Sequence, residues 1–239
     1  MSQPLPVALL AGGLGTRLRP FTGAKPKALV EVAGEPFIAH QLRRLEREGV
    51  RRVVVCAGYL GEMIEGFVGD GSGFGLDVHF SYDGERLLGT GGALKQALPL
   101  LGEAFFVLYG DSLLPCRFSP VQDAFLASGK QALMTVFRND DRWDRSNVEF
   151  ADGRIRACSK REQTPSMRHI DYGLGVLRAL ALDELATGVP CDLEWVYQQL
   201  LARDQLAAFE VHERFYEVGS PEGLKETEAY LTSMGSGLR

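Results

Sequence analysis

Apolar positions in the first half of the chain switch between two periods. Val7 to Leu10 is a short uninterrupted apolar run, the pattern of a strand covered on both faces. Phe37, Ile38, Leu42 and Leu45 recur at helical spacing, and Gly49 stops that helix. Arg52 to Ala57 is a β-branched run that reads as a buried parallel strand. Leu60, Ile64 and Phe67 predict a short helix, and Leu76, Val78, Phe80 and Tyr82 alternate as in a half-exposed strand. Thr90 is placed to cap a helix running through Leu94 and Leu98 to Pro99. Ala104 to Tyr109 is again an apolar strand, ending at Gly110-Asp111. Such alternation predicts an α/β fold: an open, mostly parallel, Rossmann-like sheet with helices on both faces. Ligands of these sheets bind beyond the carboxyl ends of the strands. The glycine-rich turn after the first strand and Asp111 after the Ala104 strand both fall there.

The pattern changes after Phe137. Asn147 to Phe150 and Arg154 to Ser159 are short strands around an Asp152-Gly153 turn, a hairpin signal. Ile170 to Leu177 reads as another strand, and Leu193 to Leu201 as a helix whose Trp195 is expected in the core. Ser220-Pro221 begins a last helix, with proline at its first position, that continues through Leu224 to Leu231. Thr232 to Arg239 is small and polar and is expected to fray. These signals predict one domain over residues 1–231. It comprises a first half to about residue 137, a smaller mixed lobe over 138–190, and a closing segment over 191–231.

Composition narrows the class. The chain has 239 residues, 45% hydrophobic and 24% charged, the balance of a soluble globular protein. A net charge of −5 argues against a nucleic-acid-binding surface. Cys56, Cys116, Cys158 and Cys191 are widely spaced, which fits a reducing compartment and neither a zinc site nor a disulfide framework. His40, His79, His169 and His212 show no metal spacing. No signal peptide or bilayer-length apolar run is present, so a cytoplasmic protein without a membrane partner is expected. The oligomeric state is left open.

The chemistry concentrates between Leu9 and Glu35. Leu10, Ala11, Gly12, Gly13, Gly15 and Thr16 form a turn whose backbone N–H groups could converge on phosphate oxygens. Arg17 follows, and Lys27 lies on a second arm of the same loop. Polyphosphate needs both close backbone approach and compensating cations. Neither the dinucleotide fingerprint nor the P-loop fits: Leu18 stands where a third glycine belongs, and no Gly-Lys-Ser/Thr follows. What remains is G-x-G-T-R followed by K-P-K-A-L-V-E-V-A-G-E-P. This composite resembles the sugar-1-phosphate nucleotidylyltransferases, the nucleoside-diphosphate-sugar pyrophosphorylases, and the resemblance covers about residues 6 to 231.

The resemblance implies that a nucleoside triphosphate and a sugar 1-phosphate condense to an NDP-sugar and pyrophosphate. It implies roles for Arg17 and Lys27 on the phosphates, with Arg19 and Lys25 as weaker candidates, and Mg²⁺ as cofactor. Asp111 matches the family's first metal aspartate. The second metal position, an aspartate in many relatives, is Glu217 here, which keeps the charge and lengthens the reach. Gly89, Thr90, Gly91 and Gly92 match the element whose backbone approaches the nucleotide, where a Cβ would collide with a flat ring. Asp83 and Glu85 just before it could accept hydrogen bonds from a base edge. On the sugar-facing lobe, Asn147, Glu149, Lys160, Asp171, Tyr172 and Gly173 match sugar-phosphate positions. A glutamate usual in relatives is missing, because the chain reads Ser159-Lys160-Arg161 there. Two other readings stay open. A non-catalytic regulatory member would lack equivalents of Arg17, Lys27 or Asp111, and all three are present. Transfer to a non-sugar phosphate such as phosphocholine would call for an aromatic cage, for which Tyr172 and Trp143 are available.

Overall fold

The computed structural model of the protein describes residues 3–13 and 25–236. In chain order the strands are β1 (Val7–Leu10), β2 (Glu31–Val32), β3 (Glu35–Pro36), β4 (Arg52–Ala57), β5 (Asp77–Tyr82), β6 (Ala104–Tyr109), β7 (Ser112–Leu113), β8 (Ala132–Arg138), β9 (Val148–Ala151), β10 (Arg154–Cys158), β11 (His169–Arg178), β12 (Leu206–Val211) and β13 (Tyr216–Glu217). The helices are α1 (Phe37–Arg47), α2 (Gly61–Val68), α3 (Gly89–Leu101), α4 (Phe118–Ser128), α5 (Leu193–Ala202) and α6 (Pro221–Ser236).

The sheet runs β6-β1-β4-β5 with every pair parallel, Leu10 lying opposite both Cys56 and Tyr109. Side chains alternate across it. Val7, Leu9, Val53 and Val55 pack on one face with residues of α1, α2 and α4. Ala8, Val54 and Cys56 pack on the other with residues of α3 and α5. Helices therefore cover both faces, as the alternation predicts. The mixed portion is continuous with this sheet. β11 runs antiparallel to β6 on one edge and to β8 on the other, β12 is parallel to β8, and the β9–β10 hairpin lengthens the end. Asp152 and Gly153 both take positive φ, as the tight turn between β9 and β10 requires.

Four expectations change. Thr90 does not cap its own helix; its Oγ1 accepts the Leu193 N–H at 2.8 Å and so caps α5. Pro99 lies inside α3, which ends at Leu101. Trp195 is 41% exposed, on the outer side of α5, while Val196, Tyr197 and Leu200 fill the core. The last helix runs five residues beyond Leu231, to Ser236.

The glycines of α3 also have a packing reason. Gly91 and Gly92 donate their N–H groups to the Cys191 carbonyl at 2.8 and 3.1 Å, and Cys191 N–H returns a bond to Leu88 O at 2.8 Å. A Cβ on Gly89 would sit 2.7 Å from Cys191 O, and one on Gly92 2.8 Å from Val189 O. Small residues are needed because the chain from Val189 to Asp192 lies directly on the start of α3. Gly92→Ala is therefore expected to lower the free energy of unfolding by about 1–3 kcal/mol, since backbone must give way. Gly66→Ala, in an exposed helical position with open space around it, is expected to raise it by about 0.5–1 kcal/mol. Urea denaturation followed by circular dichroism measures both, and a Gly92→Ala variant as stable as the parent overturns this packing account.

Candidate active site

Beyond the carboxyl ends of β1, β4, β5 and β6 lies a cleft of about 300 Å³. Its floor continues the sheet. Ala11 N–H donates to Cys56 O, and Gly110 N–H to Leu10 O, each at 2.9 Å. A Cβ on Gly110 would stand 2.7 Å from Leu10 O, so only glycine lets β6 turn here and deliver Asp111 to the rim. Leu10, Ala11, Gly12 and Gly13 form one wall, and no described residue fills the space where a side chain on Gly13 would be. Gly89 and Thr90 line the opposite wall, whereas Gly91 and Gly92 are buried against the 189–192 segment. Gly15, Thr16, Arg17 and Arg19 lie outside the described residues. Lys25 is exposed.

Lys27 and Asp111, 84 residues apart in sequence, meet in this cleft. Lys27 Nζ donates to Asp111 Oδ2 at 2.7 Å, with the lysine side chain 16% exposed and the aspartate 36%. Ser112 Oγ donates to Asp111 Oδ1 at 3.3 Å. The β7–β13 ribbon pairs Ser112 with Glu217, and Val218 N–H donates to Asp111 O at 2.9 Å. Glu217 thus stands beside Asp111 although 106 positions separate them in the chain. Its carboxylate accepts the Gly219 N–H on one oxygen and the Ser220 hydroxyl, at 2.8 Å, on the other. A methyl group on Gly219 would run into Glu217 Oε2 and lie 2.8 Å from Lys27 Nζ, so ammonium and carboxylate flank the same glycine. Among the described residues no three His, Cys, Asp or Glu side chains form a metal-binding group. Two carboxylates with oxygen lone pairs to spare still suit Mg²⁺, which usually takes one or two carboxylates and completes its shell with water and phosphate.

Across Tyr109, which borders both, is a narrow side pocket of about 20 Å³, room for one water-sized group. Asp171, Asn147 and Lys160 border it. Asn147 Oδ1 accepts the Asp171 N–H at 3.0 Å, and Asp171 Oδ1 accepts the Gly173 N–H at 3.0 Å. Gly173 has φ +96°, at a register shift between Asp171 and Gly175 that turns the carboxylate toward the pocket. Burial raises the Asp171 carboxyl above the usual range, against the opposing pull of Lys160 and of its Gly173 and Tyr109 hydrogen bonds. Lys160 Nζ sits 5.4 Å from the centre of the Tyr109 ring.

Two expected sugar contacts fall elsewhere. Tyr172 faces away from Asp171, as neighbours on a strand do, and packs in the core with Phe137 and Phe215. Glu149 lies off the pocket and accepts the Ser166 hydroxyl at 3.0 Å. Trp143 packs on Phe137 and under the Arg214 guanidinium, 4.8 Å from its ring centre. Neither aromatic proposed for a cage borders the main cleft or the side pocket. The fold also supplies groups that local sequence did not mark. Glu194, in the first turn of α5, accepts the Lys160 N–H at 2.8 Å and borders the side pocket. Asp192 borders the main cleft. Their only local signal is acidity at a helix start, which reads as ordinary helix-dipole compensation. Cys56 reaches the cleft, but burial pushes its thiol up to about 12, so it is no nucleophile.

Comparison with known proteins gives the family and the fold. N-acetylmuramate alpha-1-phosphate uridylyltransferase of Neisseria meningitidis serogroup B is 42% identical over 112 residues, 46% of this chain and 48% of that one. Mannose-1-phosphate guanyltransferase of Gibberella zeae is 29% identical over 234 residues, 95% of this chain and 64% of that one. The chain thus spans between about half and just under two thirds of these relatives. HddC from Yersinia pseudotuberculosis, solved with GMP-PN, superposes with a TM-score of 0.81 at 23% identity, covering 95% of this chain and 99% of that one, and shows the shared fold. Residues 7–147, more than half the chain, match the nucleotidyl transferase family, and the protein belongs to that family.

Proposed function

We propose that the protein transfers a nucleotidyl group from a nucleoside triphosphate to a sugar 1-phosphate. A sugar-phosphate oxygen attacks the α-phosphorus, the new P–O bond forms, the bond to the bridging oxygen breaks, and pyrophosphate leaves. The observation that carries this reading is the convergence of Lys27 and Asp111 beside the glycine wall at the strand ends, with Lys160 and Asp171 across Tyr109. Such a reaction needs no covalent step on the protein; positioning and charge stabilisation supply the acceleration. The glycine wall admits the triphosphate closely, Arg17 and Lys27 offset its charge, and Lys160 faces the acceptor phosphate. The side pocket is too small for a sugar ring, so the ring sits at its mouth and one hydroxyl enters toward Asp171. Asp111 and Glu217 would hold Mg²⁺, which when bound neutralises phosphate charge. Glu217 would do so while keeping its bonds to Gly219 and Ser220, which anchor the longer side chain. Among the described residues no helix is long and apolar enough to cross a membrane. We place the protein in the cytoplasm, where nucleoside triphosphates are made, in the supply of envelope or capsule sugars.

The founding test is pyrophosphate release by purified protein over all nucleoside triphosphates and a panel of hexose, heptose and amino-sugar 1-phosphates. No release from any pair overturns the proposal. With an active pair in hand, Lys27→Ala is expected to lower kcat by about 10²- to 10³-fold with an unchanged circular dichroism spectrum, the usual cost of removing one transition-state charge donor. Turnover within a factor of three of the parent removes Lys27 from the mechanism.

Lys160→Ala is expected to weaken sugar-phosphate affinity by about 10-fold or more, as one charge-assisted contact is lost. Triphosphate binding, measured by calorimetry without the sugar, stays nearly unchanged. Equal losses for both ligands mean a destabilised pocket instead.

The Asp171 carboxyl gives a third outcome. Its ionised form accepts the hydroxyl, and burial raises its titration point. Activity toward the sugar phosphate is therefore expected to fall on acidification at a higher pH than an ordinary carboxylate gives. Asp171→Asn removes that limb from the pH profile of kcat/KM; an unchanged limb assigns it to another group.

A further inference from the structure

Among the buried side chains of α1 one is polar, Gln41, which is 1% exposed. Gln41 does not border the cleft, yet its amide reaches the turn that carries Asp111. Nε2 donates to Tyr109 O at 3.0 Å and to Ser112 O at 2.8 Å. Gly110 and Asp111 stand between these two carbonyls, so one amide braces the turn at both of its ends. Asp111 O, in the middle, accepts the Val218 N–H at 2.9 Å. The backbone that presents the Asp111 carboxylate is thus held at three carbonyls. Lys27 Nζ and Ser112 Oγ then orient the carboxylate itself.

The same helix holds the lysine. Phe37 N–H, at the start of α1, donates to Val30 O at 2.8 Å, and Val30 N–H donates to Lys27 O at 3.1 Å. His40, the neighbour of Gln41, donates from Nε2 to Val32 O at 2.8 Å. Lys27 and Asp111 come from distant parts of the chain, and α1 is the rigid element to which both are tied. The amide also has a cost of its own. Its Oε1 is buried and meets no donor among the described residues, and an unpaired buried acceptor lowers stability. What Gln41 supplies in exchange is a pair of donors at one turn.

We infer that Gln41 is a positioning residue for the transfer reaction, setting Asp111 at the distance from Lys27 that the phosphates require. The inference rests on the nucleotidyl-transfer reading of the cleft. Gln41 acts through the Asp111 turn and touches no substrate. A misplacement of about 1 Å can cost about 10²-fold in rate, so a contact buried behind the turn is felt in turnover.

Steady-state kinetics of the full chain, with an active pair of triphosphate and sugar phosphate, tests this. Gln41→Met keeps the length of the side chain and removes both donors. With an unchanged circular dichroism spectrum, it is expected to lower kcat by about 10- to 100-fold while the sugar-phosphate KM changes by less than about threefold. Gln41→Glu keeps the length and, as the neutral acid that burial favours, one donor; its kcat is expected between those of the parent and Gln41→Met. A double-mutant cycle is the decisive arm. In an Asp111→Asn background Gln41→Met is expected to cost less than about twofold more, because its effect passes through the Asp111 carboxylate. A Gln41→Met kcat within about threefold of the parent overturns the inference, as does a further loss of about 10-fold on top of Asp111→Asn. Equal rises in KM for both substrates do so too, because they make Gln41 a brace of the fold alone. Should Gln41→Met fail to fold, Gln41→Glu in the same cycle decides in the same way. A parent that transfers to no sugar phosphate sinks the transfer reading and this inference with it. A parent that transfers no better than its Gln41 variants sinks the inference and leaves the reaction standing.

Discussion

β1 is paired on both edges and covered on both faces, and the floor of the cleft is built on its end. Val7, Ala8 and Leu9 have no exposed surface. Their backbone must find partners inside the protein, because an unpaired peptide group is costly there. Parallel pairing with β4 and β6 meets that need and has a consequence. All three strands end at one level, so the turns that leave them crowd together. Glycine relieves the crowding at Gly12, Gly58 and Gly110, where a Cβ would meet backbone at 2.7–3.2 Å. The cleft is the space these turns enclose, and a polyphosphate can reach its backbone walls for the same reason.

Charge in this region is uneven. Asp83, Asp111, Asp192 and Glu217 stand in or beside the main cleft, and among the described residues that line it Lys27 is the cation, paired with Asp111. Lys27 and Asp111 hold each other at 2.7 Å. Each offsets the other's desolvation, and both stay on the rim where a phosphate or a cation could exchange into the pair. Glu217 is fixed by loop donors at the start of α6, which gives a long carboxylate the orientation that a shorter one has by geometry.

The second structural theme is the clamp between α3 and the approach to α5. Thr90 caps α5, Cys191 O accepts from Gly91 and Gly92, and Glu194 reaches the Lys160 N–H. One packing contact thereby aligns the wall of the main cleft with the side pocket. Glu194 also brings a carboxylate near Lys160, the neighbourhood where the local sequence, Ser159-Lys160-Arg161, lacks the glutamate usual in relatives.

The strand–helix alternation from Val7 to Asp111 was legible in the sequence because each element there carries its own period, and a buried parallel strand is apolar along its whole length. The sheet edge that bears the cleft was legible too, because strand ends in an open α/β sheet are set by topology. The strand Ala132–Arg138, the helix Phe118–Ser128 and the strand Leu206–Val211 did not stand out, since their signals are short apolar runs that fit helix or strand equally. Tyr172 and Asp171 show the limit at a site. Both sit in one motif, yet strand alternation and a glycine-borne register shift send one into the core and the other to the pocket. Trp195 shows it for burial: its helix presents Val196 and Tyr197 inward, and the orientation comes from the surfaces it packs on. Glu194 and Asp192 reach the two pockets through contacts between segments far apart in the chain. Local sequence determined which elements form and which chemistry they carry, because backbone propensity and periodicity act over a few residues. The tertiary structure alone decided which carboxylates face one another across the cleft, because that follows from strand register and from backbone meeting backbone.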